Sequence, residues 1–227
     1  MSPKSIFSLA RFSQFMGIVT FLILVSAPCV CGAQSLSGKG SLGGAVGVMR
    51  MLQDEHVKDK ASMRGMGDFR IRYFFSDRLA TVITTGFGWT GYPSSKNMIA
   101  TQLPLTFGLE LRPYGKKPLM GGKLAPRIGF GGGFYSWVIE TKAGRNVIKD
   151  PQTKALLRAT DPGGYGEVGA EYLARPSVGV SAGMLYHYIL SANETEFPTA
   201  FGEDDAFLQV RVGVNYYFPI EKLKKRS

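Results

Sequence analysis

The sequence predicts an all-β protein, folded as an eight-stranded antiparallel up-and-down transmembrane β-barrel. Three observations lead to this fold. Residues 39–218 divide into about eight segments in which apolar and polar residues alternate, which is the period of a β-strand. The connections between these segments are rich in Gly, Pro, Asp, Asn and Ser and are alternately short and long, as in membrane barrels. A predicted export signal precedes the first segment.

The first 33 residues have the layout of a cleavable signal peptide. Lys4 and Arg11 stand in a stretch without acids, residues 15–27 form a mainly apolar run, and Cys31-Gly32-Ala33 follows it. A membrane-spanning helix is the alternative, but it requires about 20 apolar residues and the run is shorter. With cleavage predicted after Ala33, the chain divides into a signal peptide (1–33), an outer-membrane β-barrel domain (34–218) and a basic C-terminal periplasmic tail (219–227).

The cysteines and the net charge limit the possible chemistry. Both cysteines, Cys29 and Cys31, lie in the signal segment and outside a lipoprotein context, so neither a disulfide nor a lipid anchor is expected in the mature chain. Loss of Lys4 and Arg11 lowers the formal charge from +10 to +8, a balance that suits an anionic membrane surface or nucleic acid. Every later lysine lies in a loop, a tail or a strand end, which favours lipid outside the barrel. We expect no nucleic-acid partner and no cofactor.

The predicted strands alternate between two kinds of connection. Tight turns near Ser76-Asp77 and Arg175-Pro176, with a modest connection at 113–122, fall on one side of the barrel, and the longer connections fall on the other. An even number of strands places both termini on the short-turn side, which is the periplasm for an exported chain. The predicted strands are 40–52, 62–75, 79–90, 99–112, 123–140, 163–174, 177–190 and 206–218.

Alternation alone does not separate a membrane barrel from a soluble lipocalin-like carrier, which turns its apolar face inward. Here the polar face combines many glycines with charges of both signs, which indicates a crowded interior, and the apolar face collects aromatic residues toward the strand ends. Both features favour lipid outside. The charged interior predicts a structural ionic network in the lumen, made of Arg64, Asp68, Arg70, Arg72, Glu110, Arg112, Arg127, Glu167, Glu171 and Arg211.

The last strand carries the most specific pattern. Arg211, Gly213, Tyr216 and Phe218 follow the order polar-x-Gly-x-x-hydrophobic-x-aromatic. In this pattern and in its architecture the chain resembles the small outer-membrane β-barrel proteins, with OmpA-like transmembrane domains and OmpX-like barrels. The resemblance implies an integral outer-membrane location, lipid and lipopolysaccharide as surroundings, and those four residues as the signal for the outer-membrane assembly machinery. The chain departs by continuing past Phe218, and no peptidoglycan-binding module is expected.

Eight strands enclose a lumen that side chains fill, so we expect a plugged barrel with a structural or surface-interaction role. A narrow conduit for small molecules is the first alternative. The second is a lipid A-modifying enzyme, for which His187, Ser191 and Glu194 form the one nearby set of suitable groups. Their spacing departs from the His-x-Ser arrangement of the lipid A deacylase family, which this region loosely resembles. His187 also falls on the lumen face, so no catalytic residue is predicted.

The loops suggest contacts rather than catalysis. Five basic residues in the 141–162 loop are predicted lipopolysaccharide contacts, and the acidic 191–205 loop offers them an opposite charge. His56 beside Asp54 and Glu55 is read as part of a solvated turn and not as a metal site. The glycines at 129–133 lack the strand-to-helix setting of a phosphate loop. The five predicted contacts are Lys142, Arg145, Lys149, Lys154 and Arg158.

Overall fold

The described part of the chain is a closed barrel. The computed structural model describes residues 35–52, 64–91, 98–115, 123–141, 143–149, 154–156, 158–190 and 205–220. Each strand pairs antiparallel with its neighbours in sequence, and the last pairs with the first. The strands are β1 (Lys39–Met51), β2 (Arg64–Phe74), β3 (Leu79–Gly91), β4 (Met98–Leu111), β5 (Leu124–Thr141), β6 (Arg158–Arg175), β7 (Val178–Ile189) and β8 (Asp205–Pro219). The predicted fold class is confirmed.

The predicted signal peptide lies outside the described residues. None of the described residues belongs to a helix that is long and apolar enough to cross a membrane.

The main departure from the predicted strands is at β6, which begins five residues before the predicted start at 163. Its first residue pairs with Val138 of β5, and β5 and β6 are both 18 residues long. At the long-loop end β6 extends beyond β7, whose last residue pairs with Gly163. Pro162 and the two glycines after it resemble a strand boundary in sequence. In the barrel, however, the Pro162 carbonyl accepts the Leu190 N–H at 2.9 Å, and pairing continues through this point.

Part of the predicted 141–162 loop is also ordered as β structure. The Ile148 N–H donates to the Ile139 carbonyl at 3.0 Å, and Val147 forms a bridge with Glu140. Arg145 adopts a left-handed conformation, with φ of 53°, at the turn that reverses the chain. The chain leaving β5 therefore folds back along β5 before it reaches β6.

The two faces of the barrel differ in chemistry because successive side chains of a strand point to opposite sides. Large apolar side chains face outward; Phe134, Val214 and Tyr216, for example, are at least 55% exposed. Charged side chains face inward, where Arg72 and Glu171 are no more than 1% exposed. A soluble carrier barrel requires the opposite arrangement.

A short segment before β1 folds across the short-turn end of the barrel. We call Ser35–Gly38 the N-terminal strap. Leu36 is buried there against Phe74 and Tyr217. The Asp77 carboxylate accepts the backbone N–H of Leu36 at 2.6 Å and that of Ser37 at 3.3 Å. The β2–β3 turn therefore holds the strap in place.

Candidate functional site

The barrel interior is organised around a continuous network of ion pairs. Glu110 of β4 lies at its centre, within 4 Å of guanidinium nitrogens of four arginines. They are Arg70 at 3.7 Å, Arg72 at 3.2 Å, Arg112 at 2.9 Å and Arg127 at 3.3 Å. All five side chains are at least nine-tenths buried. Charges at this depth persist because each has an opposite charge within contact distance.

Glu171 of β6 anchors the network toward the short-turn end. Its carboxylate accepts hydrogen bonds from Arg72 at 2.9 Å and Arg112 at 2.6 Å. The Tyr217 hydroxyl of β8 donates to Glu171 at 2.6 Å, and its oxygen accepts from Arg72 at 3.0 Å and from Arg112 at 3.1 Å. Asn215 donates a further hydrogen bond at 3.0 Å. These contacts join β2, β6, β8 and the residue that follows β4 through one carboxylate.

Glu167 continues the network toward the long-loop end. Arg70 and Arg127 each lie 2.8 Å from its carboxylate, and Arg211 lies 2.9 Å away. Arg211 also reaches Asp68 at 2.7 Å. The acids therefore alternate with arginines along the barrel axis, in the order Glu171, Glu110, Glu167 and Asp68, with neighbouring acids joined by shared arginines.

A neutral hydrogen-bonded chain lies above the ionic network. Gln209 donates to Asp68 at 3.0 Å, which turns its carbonyl oxygen toward His187 Nε2 at 2.9 Å. Because that oxygen can only accept, His187 carries its proton on Nε2, and Nδ1 accepts from the Tyr135 hydroxyl at 2.9 Å. Phe207 stacks on the imidazole, with ring centroids 4.3 Å apart. Both ring nitrogens of His187 are therefore occupied by structural partners.

Two apolar clusters flank these polar layers. At the short-turn end, Leu36 of the strap packs with Phe74, Ala80 and Tyr217. At the long-loop end, a larger cluster contains Met49, Met66, Tyr135, Trp137, Ile139, Ile189 and Phe207, with Ile148 packed against it. Along its axis the described interior therefore passes from apolar to ionic, to neutral polar and to apolar again.

The structure places nine of the ten predicted network residues in the lumen. The tenth, Arg64, pairs through its backbone with Met49, and its side chain lies outside the described part. Sequence reasoning missed Tyr217, Asn215 and Gln209, which complete the coordination of Glu171 and Asp68. Their signal was available, since all three alternate with the outward residues of β8.

The groups considered for catalysis or metal binding are not assembled in the described structure. His187 is 4% exposed inside the barrel and engaged as above. Its proposed partners Ser191 and Glu194 lie outside the described residues, as do Asp54, Glu55 and His56. Among the residues that are described, no group of three or more His, Cys, Asp or Glu side chains is arranged to hold a metal ion.

The predicted lipopolysaccharide contacts lie at the long-loop end. Arg145, Lys149, Lys154 and Arg158 are exposed, and Lys142 lies outside the described residues. Arg145 forms an ion pair with Glu140 at 3.2 Å. The acidic residues between 194 and 204, whose charge is opposite to that of these cations, likewise lie outside the described part.

The residues of the predicted assembly signal divide between the two faces of β8. Arg211 is buried in the lumen, and Gly213 points the same way. Tyr216 is 55% exposed on the outside, and Phe218 is half-buried near the short-turn end, where its backbone pairs with Gly40 of β1. The pattern therefore spans the last strand at the seam that closes the barrel.

An apolar exterior and a charged, filled interior in a closed eight-stranded barrel define the small outer-membrane β-barrel fold. Solved structures with this fold are similar to the chain. Neisserial surface protein A matches with a TM-score of 0.56 and 14% identity, over 80% of this chain and 98% of that one. Ail, the attachment invasion locus protein of Yersinia pestis, solved with the heparin analogue sucrose octasulfate, matches with a TM-score of 0.50 and 13% identity, over 80% and 99%. No protein-family model and no curated protein matches the sequence.

Proposed function

We propose that the mature chain is an integral outer-membrane barrel with a plugged lumen, whose role is structural or is exercised through its surface at the long-loop end. The observation that supports this proposal is the distribution of side chains, which is the reverse of that in a protein dissolved in water. Large apolar side chains cover the outside, and ten ion pairs between described residues fill the inside. Such an exterior is stable in hydrocarbon, and a closed sheet leaves no backbone edge unpaired there.

The height of the apolar exterior supports membrane insertion. On β5 the outward positions from Leu124 to Phe134 carry no charge, and this 11-residue stretch matches the roughly 9–11 residues of a tilted membrane strand. Polar side chains follow immediately: the Ser136 and Thr160 hydroxyls bond at 2.8 Å on adjacent strands. Aromatic side chains mark both boundaries, with Trp89, Phe134 and Tyr188 above and Tyr73, Tyr172 and Tyr216 below.

The contents of the lumen support a barrel that does not conduct. A solute passing along the axis would have to displace both apolar clusters and separate buried ion pairs. Removing one partner of such a pair costs about 3–5 kcal/mol, so a permanent path is disfavoured. A narrow conduit stays the first alternative.

We expect the mature chain to show heat-modifiable gel mobility, to stay in the membrane during urea washing, and to give no reproducible single-channel steps in planar bilayers. The closed barrel stays folded in detergent until the sample is boiled, and the filled lumen excludes ions. The measurements are gel mobility of boiled and unboiled samples, urea washing of outer membranes, and conductance with a porin as the positive control.

Each measurement has a contrary result. Extraction of the protein by urea would replace the membrane assignment with that of a soluble periplasmic barrel. Regular conductance steps from a urea-resistant, heat-modifiable preparation would leave the membrane assignment standing and favour the conduit.

For the long-loop end, we propose that the exposed cations of the 142–158 region contact lipopolysaccharide phosphates. Arg158 faces outward just above the aromatic boundary, four residues beyond Pro162, at the height of headgroups. Replacing all five predicted contacts by glutamine is expected to weaken binding to lipopolysaccharide roughly tenfold, since exposed pairs contribute only about 0.3 kcal/mol each. Dephosphorylated lipopolysaccharide is the control ligand. Binding that is unchanged by the substitutions, or equal for both ligands, would contradict the proposal.

A further inference from the structure

The short-turn end of the ionic network is covered by two aromatic rings. The guanidinium carbon of Arg72 lies 5.4 Å from the ring centres of Phe74 and Tyr217, and that of Arg112 lies 4.8 Å from the Phe74 ring. Phe74 ends β2 and Tyr217 lies near the end of β8, yet they are 0% and 3% exposed. Leu36 of the strap packs against these rings and is itself 5% exposed. The strap therefore supplies the outer cover of this layer.

Three hydrogen bonds of the strap meet at a single atom of the β2–β3 turn. Asp77 Oδ1 accepts the Ser35 hydroxyl at 2.9 Å, the Leu36 N–H at 2.6 Å and the Ser37 N–H at 3.3 Å. Ser35 and Ser37 are exposed, so water competes for these donors and each bond adds little to stability. Because the three donors share one acceptor, they are expected to separate from the turn together.

A glycine turn joins the strap to β1. Gly38 has a left-handed φ of 75°, and the Lys39 N–H donates to the Leu36 carbonyl at 3.0 Å across the turn. The Gly38 N–H donates to the Phe74 carbonyl at 2.9 Å, which keeps this residue on the barrel wall. Cleavage after Ala33, which the sequence predicts, would leave one residue before the strap and thus a free end. Since glycine changes its backbone angles at little cost, Gly38 can serve as a hinge for the residues before it.

The two ends of the lumen are closed in different ways. The seven buried side chains of the long-loop cluster all belong to strands of the barrel wall. In the short-turn cluster, Leu36 is the buried member, among the described residues, that lies outside the strands. A strand cannot leave the wall without breaking its ladder of backbone hydrogen bonds, whereas Leu36 can leave its site without disturbing a strand pair. The short-turn end is therefore the end at which the lumen can open.

We propose that the strap is a hinged lid, latched by Asp77, that controls the access of water and small solutes to the ionic network from the short-turn end. When the lid is closed, Leu36 and the rings beneath it exclude solvent from Glu171 and its arginines. When the lid swings away about Gly38, the rings are left as the remaining barrier. The proposal concerns access to the interior of the barrel, and it does not depend on the proposed membrane placement.

A cysteine at position 41 reports on the lid. Ser41 of β1 pairs with both Arg72 and Tyr217. It is 0% exposed, and its Oγ accepts Arg72 Nε at 2.9 Å, so it lies at the level of the network. Both natural cysteines, Cys29 and Cys31, lie in the predicted signal peptide, so mature S41C has a single thiol. This thiol is expected to react with methyl methanethiosulfonate, a small uncharged reagent, only while the lid is open.

The test is the labelling rate of folded S41C protein in detergent micelles, measured by intact mass before boiling. Adding Leu36→Ala is expected to raise this rate about tenfold or more, because burial of the lost carbon atoms favours the closed lid by such a factor. Adding Asp77→Ala is expected to raise it several-fold, since the shared acceptor is lost. Asp77→Asn retains an oxygen that can take the place of Oδ1 and is expected to stay within about threefold of S41C. The matched control is Ile189→Ala, which removes as many carbon atoms from the long-loop cluster and is expected to leave the rate unchanged.

Each contrary outcome overturns the lid. Rates equal to that of S41C in both Leu36→Ala and Asp77→Ala would show that the rings alone seal the lumen. An equal rise in Ile189→Ala would show that the whole barrel opens and that the strap has no special part in it. Loss of the heat-modifiable form in both Leu36→Ala and Asp77→Ala would make the strap a part of the fold itself and not a movable lid.

Discussion

Glu110→Ala is expected to lower the free energy of unfolding by about 3–5 kcal/mol, which is a large part of the roughly 5–15 kcal/mol that stabilises an ordinary domain. Glu110 is the carboxylate that four arginines share, and its side chain is 2% exposed. Without it the lumen has an excess of positive charge that water cannot reach. Urea titration of the barrel in lipid vesicles, followed by heat-modifiable gel mobility, measures the loss.

The matched control is Glu140→Ala, which removes a carboxylate from the neighbouring strand. Glu140 pairs with Arg145, whose side chain is 59% exposed, and an exposed pair contributes about 0–1 kcal/mol. The two substitutions delete the same atoms and differ in burial and number of partners. Equal losses of stability for both variants would show that the interior network does not stabilise the barrel.

Gly131→Ala is expected to lower the free energy of unfolding by about 3 kcal/mol, and with it the folded fraction, because there is no space for the added methyl group. A Cβ at this position would overlap the Phe107 carbonyl oxygen and lie 2.6 Å from the Gly108 Cα and 2.8 Å from the Tyr165 ring. Two of these obstacles belong to the backbone of β4, so rotation of a side chain cannot relieve them. The fraction of heat-modifiable protein after refolding into vesicles reports the effect.

Gly166→Ala provides the control for that experiment. Gly166 lies on the outside of β6, and a Cβ there meets nothing within 4 Å. Its substitution is expected to change stability by no more than about 0.5 kcal/mol. If the two alanine variants folded equally well, the tight packing of β4 against β5 would not be a requirement of the fold.

The alternation of inward and outward side chains along each strand explains why so much of the interior was predictable. Charged residues that lie an even number of positions apart, such as Asp68, Arg70 and Arg72 on β2, have to share one face, and the abundance of glycine on the polar face identified it as the inner one. Pairing was not predictable, because partners such as Arg72 and Glu171 are separated by 99 positions. Their contact depends on the size and stagger of the closed barrel, which alternation within single strands does not specify.

The remaining departures arise where local signals oppose tertiary structure. Pro162 and its glycines indicate a boundary, yet β5 holds the chain extended and β6 begins at Arg158. Tyr217 shares the inward face of β8 with Arg211 and Asn215, but the sequence does not show that its hydroxyl reaches Glu171, which lies 46 positions away. The strap precedes the alternating pattern, so the periodicity of the sequence gave no indication of it.

The strap also acts as a register stop for the first strand. The inward positions of β1 from Ser41 to Gly47 carry small side chains or none, and strands of this kind slip readily because few contacts distinguish one alignment from the next. A slip by one residue would withdraw Leu36 from its apolar site and break its hydrogen bond to Asp77, which lies 41 positions away. The strap therefore adds to the inward and outward alternation of β1 in specifying the alignment at which β8 closes the cylinder.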